Sequence, residues 1–285
     1  YEESIVEDSF RKLDEGIKTF INENNFKKFL LILRSAGFIS PSLITSQNLV
    51  NFTYALYLTL KEASINPAKI ESLVRKWFVF SALTGRYSES PETRFDYDIR
   101  NITQGNPEEY IQRAIEAELA ENFWELSLPQ QMNTSSANSP YFNVFLAAQV
   151  KNNDKGFLSK DILVKDLIEL KGDVHHVFPK EYLKQHGYNR GIYNQIANYV
   201  MVQNEINIEI GSKPPSVYLK EILEQCRSGQ LKYGGIDSEE ELMKNLESHC
   251  IPTEIFDMDY SNYNEFLEQR RRLMAKKIQT YFSQL

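Results

Sequence analysis

The residues best suited to chemistry are two adjacent histidines, His175 and His176. The chain has only 4 histidines, and imidazole titrates near neutral pH, where it can accept a proton or bind a metal ion. Hydrolysis of a phosphodiester needs both functions, because a base must activate water and a divalent cation must stabilise the leaving oxygen. We therefore predict that His176 is the base and that His175 is a metal ligand.

Two asparagines downstream can complete this site. Asn207, on a helix predicted to begin near Gln203, is placed to supply a second metal ligand. Asn204 is a rival candidate on the same helix. Asn198, beside a predicted second strand, could bond to the loop backbone and hold the base in orientation.

The elements that must position these residues are short. Strands are expected at 175–178 and 199–202, with a helical turn at 181–185 between them. Adjacent side chains of a strand point to opposite faces. At the end of a short strand, however, His175 and His176 can straddle one metal site. The pattern predicts a strand, a loop, a second strand and a helix around one ion.

This arrangement resembles the HNH, or His-Me finger, nuclease motif, a ββα unit with the base on its first strand. The likeness extends to the C-terminal nuclease region of the GmrSD-type modification-dependent restriction endonucleases. It covers the chain from about residue 45 to the end. The segments that carry it are HHVFPKEYL, NQIANYVMVQNEIN and IGSKPPSVYL, with RKWFVFSALTGRYSESPETRFDYDI and NSPYFNVFLAAQVKNNDKGF upstream and FLEQRRRLMAKKIQTYF downstream.

The resemblance implies a role for each matching residue. His176 matches the general base, His175 the metal ligand before it, Asn198 the central asparagine and Asn207 the helix-borne ligand. Many HNH proteins have Asp where this chain has His175, which is a softer ligand for Mg²⁺. Asp173 could add a carboxylate, although strand alternation leaves this open.

The resemblance further implies the cofactor and the partners. Mg²⁺ or Mn²⁺ would be the cofactor, and DNA the substrate, cut within a phage-defence restriction system. The N-terminal nucleotide-hydrolysing domain of such proteins has no counterpart here, since no P-loop is present. The chain begins at Tyr1 within a predicted helix, so we expect it to be part of a longer protein. A single-metal site cuts one strand, so double-strand cuts would need two visits or a homodimer.

The fold class expected is mainly α: a helical bundle with an embedded small ββα-metal unit. Residues 1–125 are expected to form the helical bundle, and residues 126–285 the nuclease domain, with its ββα core at about 170–212 and helices after it. The polar stretch from Ser127 to Ser139 is expected to be a loop. Asp96 and Asp98 are interpreted as a solvated helix face.

Charge restricts where a polyanion could bind. The net charge is −7, so the whole molecule is not a basic coat for nucleic acid. Residues 171–232 carry net +2, and there Lys180 and Lys213 could contact DNA phosphates or be ordinary solvated lysines. The basic residues of the last helix could line a DNA groove or complement the helix dipole. They are Arg270, Arg271, Arg272, Lys276 and Lys277.

Other classes remain as alternatives or are excluded. The 2 cysteines form no CxxC pair, which argues against a disulfide framework and a Cys-based zinc site. No apolar run is long enough to cross a bilayer, so a cytoplasmic protein without membrane contact is expected. The alternatives to a DNA nuclease are a catalytically inactive nucleic-acid-binding or oligomerisation module, and an RNA-directed nuclease with the same site.

Overall fold

The protein is mainly helical, as the sequence predicts. A computed structural model describes residues 2–63 and 65–285. In this part of the chain 69% of residues are helical, in 15 α-helices, and one small antiparallel sheet has two strands. Tyr1, which the sequence places within a predicted helix, lies outside the described residues. None of the described helices is both long enough and apolar enough to span a lipid bilayer.

The chain forms two compact units. The first comprises Tyr1–Ala36, Ser46–Glu118 and Leu285, and the second comprises Gly37–Thr45 and Leu119–Gln284. The predicted boundary is at residue 125, and no sequence pattern predicts that residues 37–45 belong with the second unit.

The described residues of the first unit form six helices: α1 Glu2–Phe20, α2 Glu23–Ser35, α3 Gln47–Glu62, α4 Pro67–Thr84, α5 Pro91–Gln104 and α6 Pro107–Glu118. Local signals set several of these ends. The Ser46 side chain accepts a hydrogen bond from Leu49 N at 3.2 Å and so caps α3. Gly85 ends α4 in the left-handed conformation at φ 62°, which glycine adopts at little cost.

A buried ion pair lies in the first unit and corrects the interpretation of Asp98. Arg86 donates two hydrogen bonds to the Asp98 carboxylate, at 2.9 and 2.6 Å. Tyr87 and Tyr110 donate to the same carboxylate at 2.8 and 2.7 Å. Asp98 is 1% exposed, so a solvated helix face was wrong for this residue. The partner responsible lies 12 positions away, beyond the reach of a pattern within one helix.

The apolar face of α1 is exposed. Its side chains recur with the period of a helix, but within the described residues they remain 44–68% exposed. They are Ile5, Val6, Phe10, Leu13, Ile17 and Phe20. By contrast, Phe29 of α2 is 0% exposed.

The second unit carries shorter elements. Its helices are α7 Leu128–Gln131, α8 Pro140–Lys151, α9 Val164–Glu169, α10 Lys180–Gln185, α11 Arg190–Tyr193, α12 Asn204–Ile210, α13 Pro215–Ser228, α14 Glu239–Ser248 and α15 Tyr263–Ser283. Its strands are β1 Val174–His176 and β2 Tyr199–Met201. The 3-10 turns are Pro41–Leu43, Ile196–Asn198, Thr253–Asp257 and Tyr260–Asn262, and Phe123–Ser127 is a π-helical turn.

The polar stretch expected to be a loop is partly helical. The π-helical turn ends at Ser127, and α7 follows directly. Leu128 and Met132 are both 0% exposed, so the burial of two apolar side chains holds a helical turn where polar neighbours suggested a loop. Tertiary packing outweighs local propensity here.

The two strands form the only sheet among the described residues. They are antiparallel, with Val174 opposite Met201, His175 opposite Val200 and His176 opposite Tyr199. All three residues of β2 are buried, whereas all three of β1 are half-buried. The sheet therefore presents the histidine strand towards solvent and is followed, two residues after β2, by α12.

Candidate active site

An open cleft of about 590 Å³ lies beside β1 in the second unit. Residues from the strand, from the start of α10 and from α12 line it. They are Asp173, Val174, His175, His176, Pro179, Lys180, Glu181, Asn207, Ile208 and Gly211. The strand ends at His176, and this explains how two adjacent histidines, which alternation would place on opposite faces, both reach one cleft.

Three potential metal donors line the cleft. His175 is half-buried, Asp173 is exposed and Asn207 is half-buried on α12. None of these three side chains has a hydrogen bond or ion pair with another residue of the described chain. Asn204, the rival of Asn207, is exposed at the first position of α12 and does not line the cleft.

This donor set is suited to a hard divalent cation. A carboxylate and an amide oxygen are ligands that Mg²⁺ and Mn²⁺ prefer, and an imidazole is tolerated. Within the described ranges, no three His, Cys, Asp or Glu side chains converge. A cation in the cleft would therefore depend on the Asn207 amide, and water would complete its coordination.

Both histidines are kept neutral by their surroundings. Burial lowers the pKa of His175, with the nearby Asp173 opposing this and Lys180 adding to it. Burial also lowers the pKa of His176, with the hydrogen bond to Asn194 opposing this and the Lys180 charge adding to it. A neutral imidazole has a free nitrogen lone pair at neutral pH, which a metal ligand and a general base both require.

The His176 ring is held on several sides. Its Nε2 lies 2.9 Å from Asn194 Oδ1. The ring also meets Tyr199 edge-on, with centroids 5.3 Å apart, and Tyr193 at 6.2 Å. The first residue after β1, Val177, donates its N–H to Asn198 O at 2.8 Å. These contacts fix both the ring and the strand end that carries it.

Asn198 lies behind the cleft rather than in it. It is 0% exposed, and its Oδ1 accepts from Phe178 N at 2.8 Å. Its Nδ2 donates to Phe178 O and to Tyr193 O, both at 3.1 Å. The Asn198 side chain thus links the backbone of Phe178, two residues after His176, to the backbone of Tyr193, which precedes Asn194. Asn198 is thus bonded to the loop backbone, and its role in orienting the base stays a prediction.

A fully buried arginine anchors Asn198 in turn. Arg270, on α15, donates from Nη1 to Ala197 O at 2.8 Å and to Tyr199 O at 2.9 Å. Its Nε donates to His249 O at 3.1 Å. Arg270 is 0% exposed, and burial lowers its pKa to about 10, so it still carries its charge at neutral pH. Neither alternative for Arg270, a DNA groove or the helix dipole, describes this position.

The two lysines that could contact DNA phosphates, Lys180 and Lys213, lie in different surroundings. Lys180 is exposed and lines the cleft. Lys213 does not line it: its Nζ is 3.1 Å from Glu221 Oε2, and the same carboxylate accepts a hydrogen bond from Tyr233. The charge of Lys213 is therefore neutralised inside the chain. Lys277 is likewise held by Asp154, at 2.5 Å.

Two residues near the base, Asn194 and Tyr218, were not predicted from the sequence, and Arg270 was given other roles. Tyr218 donates to Val177 O at 2.8 Å from a fully buried position. Asn194 lies in the quoted segment NQIANYVMVQNEIN, so its amide was visible as a candidate. No sequence signal singled out Arg270 or Tyr218, because each acts from a helix far along the chain.

Comparison with known proteins adds one relative. An uncharacterised protein of Methanocaldococcus jannaschii is 28% identical over 222 residues, which covers 72% of this chain and 36% of the relative. The chain therefore spans about a third of the relative's length. No protein-family model and no solved structure matches the chain.

Proposed function

We propose that this chain is a metal-dependent HNH endonuclease that nicks DNA, the effector part of a GmrSD-like phage-defence restriction system. The observation that carries the proposal is the shared cleft of His175, His176 and Asn207, backed by a buried Asn198 bonded to the loop behind it. β1 pairs with β2 and α12 follows β2, with α10 and α11 in the connection between the strands. This arrangement is that of a ββα unit and supports the same assignment.

In this proposal His176 takes a proton from water at the cleft. Its lowered pKa leaves the ring neutral and able to accept at neutral pH. Asn198 holds the loop that fixes the ring, and Lys180 offers a positive charge at the cleft edge to a phosphate. A bound Mg²⁺ or Mn²⁺ would supply charge stabilisation to the phosphate and to its leaving oxygen. His175 and Asn207, with Asp173 beside them, are the residues that would hold it.

The partners follow from the same proposal. DNA is the substrate, and a nucleotide-hydrolysing domain would select it, which accords with the much greater length of the M. jannaschii relative. A nuclease that acts on incoming phage DNA would work in the cytoplasm. One metal site cuts one strand, so a homodimer would be needed for a concerted double-strand cut.

The test is nicking of supercoiled plasmid DNA by the purified chain in Mg²⁺, in Mn²⁺ and in EDTA. Open-circle product should require the metal, and His176→Ala should reduce it by about 10²-fold or more. His186→Ala is the matched control, since His186 is exposed, stacks on Tyr260 at 3.8 Å and lies outside the cleft. Cleavage that persists in His176→Ala would reject this site. A parallel single-stranded RNA substrate distinguishes an RNA-directed nuclease, and a gel shift without cleavage would point to a binding module.

A further inference from the structure

One contact to the proposed base has no role in the chemistry described above. Asn194 Oδ1 lies 2.9 Å from His176 Nε2. Asn194 follows α11 directly and is half-buried, and it does not line the cleft. It can therefore act on the reaction only through His176.

The Asn194 side chain is not needed to end α11. At this helix end the backbone N–H of Asn194 donates to Arg190 O, so the cap is made without the amide. In the described part of the chain, the only hydrogen bond of the Asn194 side chain is the one to His176. A residue needed only for the helix end would leave this amide in solvent.

The backbone before Asn194 is held from two sides. The carbonyl of Tyr193 accepts from Asn198 Nδ2 and from the Tyr263 hydroxyl, both at 3.1 Å. Tyr193 and Tyr199 also bracket the His176 ring edge-on. The Asn194 amide and the His176 ring are therefore both held in place, unlike two side chains that are free to move at the surface.

We propose that Asn194 is the positioning residue of His176 and selects the tautomer of its ring. With Oδ1 as acceptor, Nε2 carries the proton and donates it to Asn194, so the lone pair is on Nδ1. Nδ1 is then the atom that takes the proton from water. Once it has done so, Nε2–H still has its acceptor, and the ring keeps its place. The consequence for cleavage rests on the proposed function, whereas the tautomer does not.

The test reads the tautomer directly, without metal or DNA. Protein labelled with ¹⁵N in histidine is examined at one pH, about 8, by long-range ¹H–¹⁵N correlation, where the ¹⁵N shifts distinguish protonated from bare ring nitrogen. The His176 signals are assigned from their loss in His176→Gln. We expect an Nε2–H ring in the wild type, a mixture of tautomers in Asn194→Ala, and the wild-type form again in Asn194→Asp, which keeps an oxygen acceptor.

A neighbouring substitution controls for disturbance of the loop. Among the described residues, the Gln195 side chain bonds only within its own segment, to Gly191 O at 3.0 Å. Gln195→Ala removes this bond and should leave the His176 tautomer unchanged. In the nicking assay, Asn194→Ala should lower kcat by about 10- to 100-fold with little change in KM, and Asn194→Asp should recover most of the loss.

The outcomes separate the two proposals. A wild-type Nδ1–H ring, or an unchanged tautomer in Asn194→Ala, would overturn the positioning role whether or not the chain cleaves DNA. The expected tautomers in a wild-type chain that cleaves nothing would support the contact and reject the nuclease. A rise in KM with unchanged kcat in Asn194→Ala would also contradict a role in positioning the base.

Discussion

Asn198 and Phe178 bond to each other twice, since Oδ1 of Asn198 accepts from Phe178 N at 2.8 Å and Nδ2 donates to Phe178 O at 3.1 Å. The two residues are 20 positions apart in sequence, and their bonds close the loop between β1 and β2. Because both groups are buried, neither has water as a substitute partner.

This pairing predicts a large cost for a small change. Asn198→Asp keeps the acceptor for Phe178 N but loses the donors to Phe178 O and Tyr193 O, and it places a carboxylate against two carbonyls. We expect a loss of about 2–5 kcal/mol in the free energy of unfolding, measured by urea denaturation. Asn204→Asp, at the exposed start of α12, should change it by less than about 0.5 kcal/mol. Equal effects of the two substitutions would contradict the buried role of Asn198.

A second prediction concerns the two asparagines of α12. Asn207 lines the cleft and Asn204 does not, so Asn207→Ala should weaken Mn²⁺ binding on the order of tenfold or more, while Asn204→Ala leaves it unchanged. Isothermal titration of the DNA-free chain with Mn²⁺ measures both. If Mn²⁺ binding weakens in Asn204→Ala and not in Asn207→Ala, the metal ligand on α12 is Asn204.

A third prediction concerns acid stability and His249. Burial lowers the pKa of His249 to about 3, and the charges of Arg270 and Lys277 act in the same direction. Its Nε2 donates to Lys155 O at 2.8 Å, and its Nδ1 accepts from Gln149 Nε2 at 3.2 Å. The folded ring is therefore neutral and fully bonded.

In the unfolded chain the pKa of this ring is about 6.5. Below that pH the unfolded state takes up a proton that the folded state refuses, so the stability contributed by the neutral ring is present above pH 6.5 and lost as the pH falls. The loss by pH 5 is about 2 kcal/mol. Urea denaturation measures the free energy of unfolding at pH 7 and at pH 5. The difference between the two values should be smaller in His249→Gln than in the wild type by about this amount. The exposed His186→Gln should retain the wild-type difference, and an unaltered difference in His249→Gln would contradict the prediction.

A fourth prediction compares two phenylalanines of the first unit. Phe29 is 0% exposed and Phe10 is 68% exposed. Phe29→Ala should cost about 3–5 kcal/mol of unfolding free energy, because it leaves a cavity. Phe10→Ala should cost less than about 0.5 kcal/mol. Thermal or urea unfolding of the two variants measures this, and comparable losses would mean that α1 is covered in solution.

Sequence patterns predicted what depends on neighbours in the chain. Local chemistry sets the start of α3, which Ser46 caps, and the end of α4, where Gly85 adopts the left-handed conformation. The two strands and α12 lie within about two residues of the predicted positions, because short β-branched and aromatic runs between turn residues are a strong local signal.

What depends on distant partners could not be predicted. Asp98 is buried because Arg86 reaches it, and Arg270 is buried because three carbonyls receive it. A charged residue in a sequence is expected at the surface unless its partner is known. His175, His176 and Asn207 were candidates from their residue types and spacing and from the resemblance to a motif, while Asn194 required the coordinates that join it to His176.

The hydrogen bonds from Arg270 to the backbone at the start of β2 also determine which part of the second unit can be completed first during synthesis. Arg270 is 73 residues beyond Ala197 and 71 beyond Tyr199 in the chain, so closing these contacts requires a long loop to be ordered. A ribosome has therefore synthesised every residue that lines the cleft well before it adds the arginine that steadies their scaffold. A chain that is released early carries the full set of cleft side chains, but it lacks the buried charge on which the strand behind them rests.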